Sequence, residues 1–202
     1  MRKSGIARPV EGAVALAGLV AVSPLLVAAG ACVLLGSGRP VLFRQTRIGK
    51  FGRPFTMYKF RTMRNDPSGP AVTAGDDPRI TRVGALLRRT KLDELPELWN
   101  VVRGDMSLVG PRPEAPRYVD PAEPRWERVL AVRPGITDPT TLTLIDEESL
   151  LASVQGDREQ YYREHLLPQK LEGYIAYLER RTWRSDLTVL LRTVRSLVLR
   201  RS

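Results

Sequence analysis

One histidine, one cysteine and an aromatic content of 6% over 202 residues remove whole classes of chemistry from this chain. With His165 and Cys32 alone it cannot build a histidine metal cage, a Cys/His dyad backed by a second thiol, or a disulfide frame. Cys32 lies in an apolar run and reads as a small buried hydrophobe, and His165 reads as structural. Neither a Gly-rich phosphate loop ending in Lys-Ser/Thr nor a Gly-x-Gly-x-x-Gly turn occurs, so the common nucleotide folds lack support. Chemistry, if the chain performs any, falls to carboxylates.

What the chain has in excess is positive charge. Its 32 Lys and Arg against 22 Asp and Glu give a net charge of +10 and a pI near 10.3. That balance implies an anionic partner: nucleic acid, an acidic membrane surface or a phosphorylated substrate. A basic, anchored nucleic-acid protein is one rival reading, weakened by the scarcity of aromatics and the lack of any helix-turn-helix, zinc or RNA-binding motif. At 43% hydrophobic, the chain suffices for one compact unit with a real core.

From Gly12 to Leu35, 24 residues carry no charge. As a helix they would reach about 36 Å, against about 30 Å for a hydrocarbon core. Ser23-Pro24 sits at the centre of the run, where proline removes a backbone donor. Arg2, Lys3 and Arg8 precede it and Arg39, Arg44, Arg47, Lys50 and Arg53 follow, so both ends are drawn to the cytoplasm. A helix that enters, breaks at Ser23-Pro24 and returns satisfies both pulls; an ordinary kinked span is the alternative. The Ser23 hydroxyl is placed to bond backbone groups that Pro24 frees.

Beyond Arg39 the pattern is soluble and mixed. Val41 to Gln45 and Phe55 to Met63 read as strands joined by the turn-rich Gly49 to Pro54, a hairpin. Lys59 and Arg61 share a strand face with Met57, where they can point at an anion. Asn65 to Pro78 reads as a long loop over a site. Arg79 to Arg89 shows helical spacing, a second stripe of Leu95, Leu98, Trp99 and Val102 runs to a stop at Gly104, and helices are predicted at 147–153, 158–180 and 185–201. The last combines an apolar stripe, Leu187, Leu190, Leu191, Val194, Leu197 and Val198, with five arginines, a composition suited to an acidic bilayer surface or to core packing with a solvated basic face.

The adjacent carboxylates Asp93 and Glu94 lie among arginines and lysines. Thr90-x-x-Asp93 has the form of a capping box, in which Asp93 would merely satisfy helix amides; a non-catalytic scaffold follows from that reading. The same placement would keep a carboxylate ionised at a helix N-terminus and bring phosphate to it. In Pro111-Arg112-Pro113 two prolines hold an arginine in extended backbone, suited to a phosphate or carboxylate, or simply to a structural turn.

Lys59-Phe60-Arg61-Thr62-Met63, Asp93-Glu94-Leu95-Pro96-Glu97-Leu98-Trp99-Asn100-Val101, Gly104-Asp105-Met106-Ser107-Leu108-Val109-Gly110-Pro111-Arg112-Pro113 and Arg133-Pro134-Gly135-Ile136-Thr137, in that order, resemble the bacterial sugar transferase family of monotopic phosphoglycosyl transferases. The likeness covers nearly the whole chain, in what looks like the minimal catalytic form. It implies an α/β, mainly helical fold: a re-entrant membrane helix-break-helix (1–40), then a cytoplasmic-face catalytic domain (41–202) with a short β-hairpin and amphipathic membrane-surface helices. It further implies transfer of a sugar phosphate from a UDP-sugar to a polyprenyl (undecaprenyl) phosphate at the bacterial inner membrane, among phospholipids. By the same resemblance Asp93 is the nucleophile, Glu94 completes the dyad, Mg2+ sits beside Asp93, Arg112 contacts the diphosphate, and Lys59 and Arg88 contact phosphate or the dyad. No nucleic-acid partner is implied, and self-association is left open. The segment after Thr137 departs from the family: Asp138-Pro139-Thr140-Thr141-Leu142 stands where many members have Gly-Trp-Ala-Gln-Val, which bears on the sugar accepted rather than on the dyad.

Overall fold

The computed structural model describes residues 5–64, 73–143 and 147–199. It opens with α1 (Arg8–Ser37), 30 residues long and with a mean hydropathy of 2.3 in its apolar window, long and apolar enough to be a candidate membrane anchor. The helix passes through Pro24 without the break expected at Ser23-Pro24. The reason is local: Pro24 deprives the Val20 carbonyl of its amide, and Ser23 Oγ donates to that oxygen at 2.8 Å.

One edge of α1 is covered. Arg8, Glu11, Ala15, Gly18, Val22, Leu26, Ala29, Val33 and Ser37 are buried or half-buried, a stripe that follows the 3.6-residue turn from end to end. The other faces, with Val14, Val20, Val27 and Leu35, are exposed. Cys32 is exposed among them, correcting the expectation of burial; it falls between the covered positions Ala29 and Val33.

The remaining chain forms a mixed body against that edge. β1 (Leu42–Ile48) pairs antiparallel with β2 (Pro54–Phe60), Leu42 opposite Phe60 and Ile48 opposite Pro54. α2 (Arg82–Arg89) starts at Thr81, whose hydroxyl accepts from the Gly84 amide at 2.9 Å; Ile80 lies before it, bridged to Met63. Gly84 allows a close approach, since a Cβ there would lie 1.9 Å from the Thr62 carbonyl oxygen. α3 (Glu97–Arg103) stops at Gly104, whose φ of 97° is the left-handed cap that favours glycine. Trp99, expected in the packed stripe with Leu95, Leu98 and Val102, is exposed instead.

β3 (Ser107–Val109) and β4 (Gly135–Thr137) form a short parallel pair, with α4 (Pro124–Leu130) in the connection between them. α5 (Pro139–Thr143), α6 (Glu147–Ser153), α7 (Arg158–Tyr161), α8 (Leu167–Arg180) and α9 (Trp183–Leu199) complete the chain. The single helix predicted over 158–180 is divided by a π turn at Tyr162–Leu166. Pro168 removes the amide that would bond the Glu164 carbonyl, and Leu167 N reaches back to Tyr162 O instead.

The fold is mainly helical with a short hairpin, as expected. One apolar cluster, with Trp126, Leu166, Leu171 and Tyr174, joins α4 to α8. Two more involve α1: Ala15 with Met57, Val101, Met106 and Val109, and Ala29 and Val33 with Phe60 and Leu87. Of the buried α1 residues in these clusters Val33 contributes about 1.5–3 kcal/mol, while Ala15 and Ala29 let the larger side chains of the body approach, so α1 is held along one edge.

Candidate active site

Asp93 and Glu94 lie in a 3₁₀ turn (Leu92–Glu94) between α2 and α3, entered through Lys91 in left-handed backbone at φ 56°. Thr90 does not cap the next helix. It closes α2, its hydroxyl donating to Leu86 O at 2.8 Å and Leu87 O at 3.1 Å, so the capping-box alternative does not hold. Nor does Asp93 receive helix amides. Its side chain is buried and its Oδ1 has no hydrogen-bond partner. Burial, reinforced by the charge of Glu94, raises the Asp93 carboxyl above its ordinary range, against the pull of Lys59, Lys91 and Arg88.

Glu94 is its opposite. Burial works against its ionisation, but Arg112 and Lys59 outweigh it and hold the carboxyl well below the usual range. Lys59 Nζ lies 2.8 Å from Glu94 Oε1, and the Arg112 guanidinium takes the same carboxylate in a fork, Nη2 to Oε1 and Nη1 to Oε2. Glu94 in turn is the main cause of a raised Arg112 pKa. An ionised, doubly clamped carboxylate thus adjoins one that is desolvated and unpartnered.

The clamps are positioned by distant parts of the chain. Lys59 is brought over the dyad by Asn100, which donates to Thr56 O at 2.7 Å and accepts from Tyr58 N at 3.3 Å, stitching β2 to α3. Arg112 stands between backbone bonds on both sides: Gly135 N to Pro111 O at 2.9 Å, and Ile48 N to Glu114 O at 3.0 Å. Glu114 is itself buried and paired with Lys170 at 2.7 Å. The extended display expected of Pro111-Arg112-Pro113 is thereby locked, and it ends on Glu94.

Lys59, Arg112, Asp93 and Glu94 are therefore brought together, with Arg112 on Glu94 rather than free for a diphosphate. Arg88 is less direct. Its Nε donates to Thr62 Oγ1 at 3.1 Å and its Nη1 pairs with Glu148 at 3.4 Å, so it reaches Asp93 only through its field. The sequence reading missed Glu97. Its side chain is 1% exposed, it shares Lys59 at 3.2 Å, and burial, with help from Glu94, raises its carboxyl despite that ammonium. Its spacing, one turn on from Asp93 across Pro96, was the available signal. Asp138, in the departing segment, is also fully buried; its carboxylate accepts from Thr141 N at 2.9 Å and from the Thr141 hydroxyl, starting α5.

Among the described residues no group of three or more His, Cys, Asp or Glu could hold a metal. The donor set still fits the expected magnesium, an ion usually held by one or two carboxylates with substrate phosphates and water. Asp93 Oδ1 is a carboxylate oxygen with no partner.

The family model of bacterial sugar transferases matches residues 2–200. The chain belongs to that family. It is 42% identical over 182 residues to a UDP-glucose:undecaprenyl-phosphate glucose-1-phosphate transferase of Caulobacter vibrioides, covering 87% of this chain and 63% of that one. It is 44% identical to a putative undecaprenyl-phosphate N-acetylgalactosaminyl 1-phosphate transferase of Bacillus subtilis, covering 52% and 60%. It is 45% identical to an exopolysaccharide production protein of Rhizobium leguminosarum, covering 60% and 66%. The chain thus spans a little under two thirds of the length of these curated relatives.

Proposed function

We propose that this sugar transferase family member moves a sugar phosphate from a UDP-sugar to a polyprenyl phosphate such as undecaprenyl phosphate, starting a bacterial glycoconjugate. The observation that carries this reading is the contrast within the dyad: Glu94 fixed and ionised by Lys59 and Arg112, Asp93 buried with an unpartnered oxygen. Asp93 attacks the sugar-bearing phosphorus, the bond from that phosphorus to the bridging oxygen breaks, and UMP leaves with the electron pair. The lipid phosphate oxygen then attacks the same phosphorus and returns Asp93 as a free carboxylate. No electrons are exchanged with any other group. Glu94 holds Arg112 and Lys59 where the diphosphate arrives, and Arg88 adds positive field. Asp93 would hold magnesium together with the substrate phosphates, and the ion would supply charge neutralisation between attacker and target.

Residues 1–40 serve in this reading as a re-entrant membrane anchor and 41–202 as the catalytic domain, at the cytoplasmic face of the inner membrane. What supports insertion into one leaflet is that both ends of α1 hold to the same charged body. Arg8 donates to Val102 O at 2.9 Å, while Arg61 donates to the carbonyls of Ser37, Gly38 and Arg39. A straight crossing would draw that body into hydrocarbon, at a prohibitive cost for its charges. On α9, Trp183, Leu187, Leu191 and Val194 are exposed at helical spacing, suited to lie on phospholipid at the depth of the acceptor phosphate.

The test is purified full chain with UDP-sugars, magnesium and undecaprenyl phosphate. UMP should appear, and enzyme quenched in mid-turnover should carry a phosphosugar mass on Asp93. Asp93→Asn should lose both; turnover retained in that variant refutes the assignment.

A further inference from the structure

A cavity of about 580 Å³ lies where α1 begins, beside the starts of β3 and β4 and the C-terminal end of α8. None of Lys59, Arg88, Asp93, Glu94 or Arg112 lines it. Arg112 follows the far end of β3, so the cavity and the dyad lie at opposite ends of the parallel pair.

Its walls are cationic. Arg8, Lys50, Arg128, Arg133 and Arg181 line it against the carboxylates of Glu11 and Glu179. Three of the cations are matched: Arg133 with Glu11 at 3.3 Å, Arg128 with Glu179 at 2.6 Å, and Arg181 with Asp186 at 3.0 Å. Arg8 and Lys50 have no carboxylate partner among the described residues; Lys50 lies over the Phe51 ring. Arg8 gives one nitrogen to Val102 O, but its Nη1 is buried with no acceptor. Such a donor is costly to leave unmade, and a rotation of the guanidinium towards the cavity would let an incoming anion satisfy it. The first turn of α1 adds to this: it has no side-chain cap, and its amides and dipole favour negative charge.

Apart from Ser107, the remaining lining is apolar, with Ile6, Ile175 and Leu178, and the cavity sits at the mouth of the exposed apolar helix. We infer that it binds the phosphate of an anionic phospholipid headgroup, seated between Arg8 and Lys50 with its glycerol against the apolar wall. A free phosphate would use the cations and leave that wall and most of the volume unused. The inference rests on reading α1 as the membrane anchor; vesicle flotation tests that separately, so failure of one is distinguishable from failure of the other.

The experiment uses full-length protein in detergent, titrated in native mass spectrometry with dioctanoyl phosphatidylglycerol, dioctanoyl phosphatidylcholine and sn-glycerol 3-phosphate. One phosphatidylglycerol should be retained, in preference to the other two. Lys50→Gln should weaken it about tenfold, as for loss of one charge-assisted phosphate bond, and Arg8→Gln added to it should weaken it further. The charge-matched pair Arg82→Gln, Arg180→Gln should leave it unchanged. Lys50 has no hydrogen bond from its ammonium among the described contacts, so Lys50→Gln should fold and keep its UMP release. Undiminished binding in Lys50→Gln, equal retention of phosphatidylcholine, or equally tight glycerol phosphate overturns the headgroup assignment.

Discussion

Lys59→Met tests the electrostatic design of the dyad most directly. The change keeps the side-chain length and deletes an ammonium 2.8 Å from Glu94 and 3.2 Å from Glu97. Glu94 retains Arg112, but Glu97, 1% exposed, loses its cation. Breaking a buried ion pair from one side costs about 3–5 kcal/mol. Because the Lys59 side chain is 16% exposed, the lower end applies, about 3 kcal/mol. For a chain of this size that lowers Tm by roughly 6–12 °C. The sign of the pH dependence is also fixed. Burial lifts Glu97 above its ordinary 4.5 even with Lys59 present, so without that ammonium the folded variant keeps a proton that the unfolded chain has released. The stability from protonated Glu97 is fully present below 4.5 and is lost as pH rises through the raised folded value, at up to about 1.4 kcal/mol per pH unit. Adding Glu97→Gln removes the stranded charge and should recover most of the loss and flatten the pH dependence. Thermal unfolding followed by circular dichroism in nanodiscs, at acid, neutral and mildly alkaline pH, reads all three proteins. Unaltered melting in Lys59→Met, or a double variant melting no higher than the single, refutes the reasoning.

Gly84→Ala should cost about 3 kcal/mol, the upper end for overpacking, because its Cβ would lie 1.9 Å from the Thr62 carbonyl oxygen; a melting curve checks it, and wild-type melting would show that the backbones part cheaply. Arg112→Lys removes the fork to Glu94 and should lower kcat/KM for the UDP-sugar about 10- to 100-fold, read by initial rates of UMP release; unchanged kinetics would leave the fork without a role. Pro24→Ala returns an amide to the Val20 carbonyl and should move part of the population to a spanning helix. A cysteine at Ala7 in a Cys32→Ser background would then become reachable by impermeant maleimide from the far side; labelling that stays confined to the side of the catalytic domain would count against a role for Pro24 in the topology, and far-side labelling with Pro24 intact would refute re-entrance.

The sequence showed most where a single physical signal spans several turns. The hairpin and α6 were legible from period two and period 3.6, and Gly104 from its place after an apolar stripe. Lys59, Glu94 and Arg112 stood out from a cationic strand face, an adjacent carboxylate pair and a Pro-Arg-Pro display, and the family resemblance gave them roles, although their mutual clamp was not foreseen. Where the outcome turned on one backbone bond, the pattern fell short. Thr90 caps backwards rather than forwards, Ser23 replaces the donor that Pro24 lacks, and Pro168 opens a π turn inside an otherwise helical stretch. β3 and β4 are three residues each, too short to announce themselves, and their parallel pairing depends on partners 28 positions apart, Ser107 and Gly135. Glu97 drew no reading of its own: its spacing from Asp93 was there to be seen, but Lys59 descends from another element to meet it.

The covered stripe on α1 has a mechanical consequence. Between Ser37 and Leu42 there is no length of slack chain, and Arg61 grips three successive carbonyls at that junction while Asp186 takes the Ile6 amide at the other end. A push on any part of the helix is delivered to Lys59, Glu94 and Arg112 as a rigid displacement. With α1 inserted as proposed, thickening or thinning the bilayer would tilt and lift the proposed reaction centre as one piece, making its height above the lipid a property of the helix rather than of a hinge.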